Sequence, residues 1–134
     1  MSEDSEATDL PEDLLDLERA RVAARRALDV FVCTVAVERR MLFPAHDQVA
    51  ERVKWPEEQN TRWHELRDAY QQATAAVRAH PLLVEAAAND GLWVMEMQLR
   101  TTVPQVEVVV RRDEAGHEVV RVLLGGVEQE EAES

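Results

Sequence analysis

A chain of 134 residues has room for one domain with a modest core, and not for two independent ones. Aromatic residues are scarce (three Trp, two Phe, one Tyr), so a core of Leu, Val and Ala suits helix packing better than an aromatic-walled ligand pocket. The net charge of −12 resides in the ends, with eight acids and no base in residues 1–18 and four acids and no base in residues 125–134; these read as solubilising tails, and the formally neutral middle argues against a nucleic-acid partner.

Residues 1–8 lack apolar periodicity and are expected to be a disordered acidic segment. Thr8 or Asp9 is placed to cap a first helix, with Pro11, Glu12 and Asp13 in its first turn, where a missing N–H is harmless and acids suit the dipole. Leu10, Leu14, Leu17, Ala24, Leu28, Phe31, Val35 and Leu42 then fall on one seven-residue register. A helix turning every 3.6 residues gathers such positions into one apolar stripe, which must be buried. Arg21 and Glu38 interrupt the register, as polar residues that fix it or mark a frayed end do. Pro44 disfavours helical geometry at Phe43 and is expected to stop the helix at Leu42.

Cys33 is the only cysteine, which excludes an intramolecular disulfide framework and fits a reducing compartment. Its apolar neighbours indicate an inert buried thiol. The longest apolar run, Val30–Val37, is far shorter than a membrane span, and the first twenty residues are too acidic for a secretion signal. The expected location is the cytoplasm.

Residues 44–54 read as a short helix or a turn. Pro56 opens a second helix, with Glu57 and Glu58 at its favourable pole, and Trp63, Leu66, Tyr70, Ala73 and Val77 form its stripe. Pro81 ends or kinks it after His80. Two long helices around so short a connection fold most simply as an antiparallel hairpin. Trp55 is placed to staple the start of the second helix, and Tyr70 to sit in the core with its hydroxyl toward the surface.

Leu82–Ala88 is helical by propensity, and Asn89-Asp90-Gly91 punctuates it, with Asp90 available to cap a further helix over Leu92–Thr102. That last segment also alternates as a strand would, through Trp93, Met95, Met97, Leu99 and Thr101. Its Met, Glu, Gln, Leu and Arg content favours helix.

Beyond Pro104 the texture changes. Val106–Arg112 and His117–Leu124 are dense in Val and flank Asp113-Glu114-Ala115-Gly116, with Gly116 at the left-handed position of a β-hairpin loop. Gly125-Gly126 is expected to end the hairpin, before a disordered acidic tail. Val108 and Val110 lie on one face and Val109 on the other; opposite them, Val119 and Leu123 share a face while Val120, Val122 and Leu124 share the other. A two-stranded ribbon is not stable alone in water. One face can rest on the helices, and a second copy or another protein's strand would cover the rest. The fold class is therefore mainly α with a C-terminal β-hairpin (α+β): a helical domain over 9–103, a hairpin over 104–124 and a tail over 125–134.

Trp55-Pro-Glu-Glu-Gln-Asn-Thr-Arg-Trp63, continuing through Tyr70 into an Ala-rich run ending at His80-Pro81, resembles a helix of small uncharacterised actinobacterial proteins. Fourteen Arg against a single Lys fits a GC-rich coding source. The resemblance implies a helical fold and a bacterial or phage setting, and no activity.

Reaction chemistry finds no foothold in the motifs. Of His46, His64, His80 and His117, only His117 has a Glu-x-x-His spacing, with Glu114, and it straddles the hairpin turn. A di-iron bundle needs that motif on two helices, and one cysteine cannot build a thiolate zinc site, so neither metal nor cofactor is expected. No phosphate-cradling glycine loop and no Gly-x-Ser-x-Gly occurs. The expected function is a non-enzymatic protein–protein interaction module (scaffold, regulator or accessory subunit) that self-associates, its partner being a second copy or another protein. Candidate interface residues are Trp55, Trp93, Met97, Val108, Val110, Val120 and Val122. One alternative is an acidic DNA mimic, weakened by the neutral middle because a mimic needs carboxylates spaced along a folded surface. Another is a small enzyme with an interfacial site gathering His46, His64 or His80 with carboxylates. A helix-turn-helix DNA reader lacks a basic recognition helix.

Overall fold

The computed structural model describes residues 10–129. α1 (Glu12–Leu42) leads through a 3₁₀ turn (His46–Gln48) and α2 (Val49–Val53) to α3 (Glu57–Arg78), followed by α4 (Pro81–Ala88) and α5 (Leu92–Thr102). An antiparallel sheet of β1 (Val106–Arg112), β2 (Glu118–Leu124) and β3 (Val127–Gln129), in that spatial order, completes the chain. The mainly helical α+β class is as expected, with one strand more than the hairpin. None of these helices is long and apolar enough to cross a membrane.

α1 and α3 are the expected antiparallel pair. Leu14 meets Val77 in one cluster, Arg25 reaches Tyr70, and Gln59 reaches Glu38. Leu28, Phe31, Leu66 and Tyr70 are all half-buried in the seam. Leu42 departs from the register prediction and is 65% exposed. α3 begins near Glu38, so the last turn of α1 outruns its partner and its apolar residues find nothing to cover them.

Prolines set the boundaries. Pro11 and Pro56 are the N-caps of α1 and α3 rather than residues of their first turns. The Thr8 or Asp9 cap lies outside the described residues. Pro81 ends α3 and starts α4, where His80 accepts from the Leu82 N–H through Nδ1 at 3.1 Å. Asp90 does not cap α5, whose N-cap is Gly91. Asp90 instead takes φ +60 just past α4, and the Gly91 N–H donates to the Ala86 carbonyl at 2.7 Å, the long bond of a Schellman ending. Residues 92–102 are helix, as the residue propensities favoured.

The core lies where four helices converge: Leu14 of α1, Val77 of α3, Leu83 of α4 and Leu99 of α5, all fully buried. α1 also carries the sheet. Val122 is buried to 1%, and Arg40 of α1 bonds Glu118 at the far end of the ribbon, so the face holding Val106, Val108, Val110, Val120 and Val122 lies against the helix. Gly125 and Gly126 (φ +60 and +87) do not terminate the sheet; they form a tight primed turn that sends Val127–Gln129 back against β2.

Candidate functional site

The polar break in the α1 stripe is the start of a buried ion cluster. Arg21 is buried because it occupies a seam position, and a buried guanidinium requires partners. One helical turn earlier, Glu18 places Oε1 2.5 Å from Arg21 Nη2, and Glu96 of α5 accepts from the same nitrogen at 2.8 Å. Arg78 of α3 donates through Nε to the other Glu96 oxygen at 2.9 Å, and Gln105 donates to Glu18 Oε2 at 3.3 Å. Burial alone would raise the Glu96 carboxyl, but hydrogen bonds from Arg21 and then Arg78 outweigh it and hold the group below its usual value of 4.5.

A depressed carboxyl stabilises the fold above its unfolded value, and that contribution disappears as pH falls through the native value. Thermal melts taken from pH 7 downward should therefore show stability declining below about pH 4.5. Glu96→Gln should start lower and decline less steeply. Parallel curves for the two proteins would contradict this origin of the acid sensitivity.

The cluster walls one side of a cleft of ≈ 630 Å³ between α3 and β1, floored by α1 and bordered by Tyr70, Thr74 and Val106–Val108. Arg25 spans it, bonded to Asp29 at 2.8 Å and lying 5.4 Å from the centre of the Tyr70 ring. Glu96, held below its usual value by two arginines, is not poised as an acid near neutral pH.

A second pocket of ≈ 490 Å³ lies between the end of α1 and the hairpin tip, and is lined by Arg40, Arg52, Arg112, His46, His117 and Glu118. It unites two of the four histidines, but its carboxylate is committed: Arg40 Nε bonds Glu118 at 2.8 Å and holds it below the ordinary range. The remaining histidines do not join them. His64 meets the Trp63 ring edge-on, and His80 caps α4. Cys33 is half-buried, and burial, then the charge of Asp29, pushes its thiol up, away from the reactive thiolate. Among the described residues no three His, Cys, Asp or Glu side chains converge as a metal site requires.

The predicted interface residues separate into two groups. Trp93 is 72% exposed and Met97 39%, and Val94, between them on the same side of α5, is 56% exposed. Residues at i and i+4 and at i+3 are surface neighbours on a helix, so the three form one apolar triangle. The side chains of the others turn inward. Val122 is buried and Val108, Val110 and Val120 are half-buried on the helix-facing side, because the sheet closes over α1 with its richer valine face. Trp55 is half-buried, its ring meeting Phe31 of α1 edge-on at 6.0 Å. The outer sheet face is thinner in apolar residues than the ribbon pattern suggested. Val109, Val119 and Leu123 share it with Glu107, Arg111 and Arg121, and Glu128 of β3 bonds both arginines, at 2.9 and 3.1 Å.

The molecule is thus an α+β domain in which a helical hairpin carries a three-stranded sheet, with a paired-ion cleft and an uncovered apolar helix face. Comparison with protein families, curated proteins and solved structures finds no match.

Proposed function

We propose that the protein is a non-enzymatic protein–protein interaction module, a scaffold, regulator or accessory subunit, that docks a partner through the outer face of α5. The uncovered triangle of Trp93, Val94 and Met97 carries this reading. Isolated exposed apolar residues are ordinary, whereas a contiguous group centred on Trp has the composition of a binding hot spot. Met beside Trp adds an adaptable surface that fits its partner by changing rotamer. The committed carboxylates of both pockets favour this reading over an interfacial enzyme. An acidic DNA mimic has less support, because Glu12, Asp16, Asp29, Glu65, Glu118 and Glu128 are all paired with arginines.

A photo-crosslinking residue in place of Met97, activated in the native cells, should capture one defined protein, and the same residue at exposed Asp68 should not. Trp93→Ala should then weaken binding of that purified protein by on the order of 2 kcal/mol, or ~30-fold. Equal capture from both positions, or unchanged affinity, would rule out α5 as the docking face.

A further inference from the structure

The outer edge of β1 is a seven-residue strand, Val-Glu-Val-Val-Val-Arg-Arg, that no described element pairs with. Its hydrogen-bonding phase follows from the bonds at its two ends. Gly125 N–H donates to the Gln105 carbonyl and Asp113 N–H to the His117 carbonyl, so the odd-numbered residues bond to β2. In an antiparallel ladder the alternate residues face away, so the main-chain groups of Val106, Val108, Val110 and Arg112 point outward. Val106 and Val108 also line the cleft beside α3, which leaves room along that half of the edge. The opposite edge is better protected. β3 covers Val122–Leu124, and Arg121 Nη1 donates to the Val120 carbonyl where β3 no longer reaches. A long, Val-rich, unpaired edge is a site for pairing with another strand.

The side chains say which strand. Glu107 and Arg111 stand at equal distances either side of Val109, all three on the outer sheet face. With a two-fold axis at Val109, an antiparallel second β1 sets Glu107 opposite Arg111 of the second copy, and Arg111 opposite its Glu107. The same register sets outward-facing Val108 opposite Val110, the pairing that the hydrogen-bonding phase demands. Sliding by one step in one direction puts Glu107 opposite Val109 and loses both ion pairs; sliding the other way puts Glu107 against Asp113. A register shifted by an odd residue would invert the faces. Arg111 already bonds Glu128, but a guanidinium has five N–H donors and Arg121 also holds Glu128, so the existing bridge survives a second acceptor.

From this self-complementarity we infer that two copies of the chain associate edge to edge through β1, Glu107 pairing with Arg111 in both directions, to give a continuous six-stranded sheet. The inference extends the reading of the protein as a docking module, and it uses a surface other than α5.

Sedimentation of the full chain over a concentration series tests it. The wild type should form dimers. Glu107→Arg and Arg111→Glu should each weaken dimerisation about tenfold or more, since both ion pairs become like-charge pairs. An equimolar mixture of the two variants should restore dimers, because each then supplies what the other lacks; a general loss of folding could not produce that rescue. Trp93→Ser should leave the dimer intact. A wild type monomeric throughout, or a mixture that stays monomeric, overturns the inference without touching the α5 reading. A dimer lost only with Trp93→Ser would also overturn it, placing self-contact on α5.

Discussion

Arg21→Ala is expected to destabilise the protein by ~3–5 kcal/mol, the range for removing one member of a buried ion pair. The lost attraction is the smaller part. Glu18, 1% exposed, and Glu96 would be left as two buried carboxylates with Gln105 and Arg78 as remaining donors. They would repel one another with too few donors to offset their desolvation. Replacing all three with apolar residues of similar volume should be far milder, or even stabilising, because the desolvation of three charges disappears together with their attraction. Chemical denaturation of the single and triple variants measures the difference. A single variant within about 1 kcal/mol of wild type would mean that the cluster is solvated and that Arg21 is not held as described.

Leu83→Ala is the second large effect, ~2–5 kcal/mol, with a Tm on the order of 10 °C lower. Leu83 is fully buried on the short helix α4, where it touches the group formed by Leu14, Val77 and Leu99. Those three residues come from three different helices, so a cavity has no single neighbour able to move in and fill it. Val84, next in sequence but 55% exposed, is the control, and Val84→Ala should change stability by less than about 0.5 kcal/mol. Equal losses at both positions would contradict the orientation of α4.

Where local rules act, the residues foretold the fold. The heptad positions of α1 and the stripe of α3 specified the antiparallel pair, because periodicity reports a buried face directly. The hairpin followed from two Val-rich runs and one loop, but the second strand begins at Glu118 and not at His117, because the Asp113 N–H closes the loop on the His117 carbonyl and sets Arg112 opposite Glu118. Residues 92–102 could alternate or wind, and helix propensity decided, since α5 buries only Leu99 and Glu96 and needs no alternating face. The third strand escaped notice because three residues are too few for a period, although Gly125-Gly126 is itself a hairpin turn signal. Leu42 followed the register but lacked a partner, a matter of relative helix length that no heptad encodes.

The ion cluster was half legible. Arg21 stood out as a charge in an apolar stripe, but Glu96 lies 75 residues away, and nothing local links the two. The side to which the valine side chains turn was hidden for a related reason. Alternation shows that a ribbon has two faces, and not which of them the helices will take.

α1, at 31 residues about 45 Å long, is one uninterrupted beam. Its start is clamped in the leucine cluster, and the sheet is tied to it as far as Arg40, so neither end can drift against the other. Two copies joined along their sheets would accordingly present a pair of tryptophan faces at a fixed spacing and angle. Such an arrangement favours a target that is itself two-fold or repeated, whose second engagement becomes intramolecular and multiplies the strength of the first.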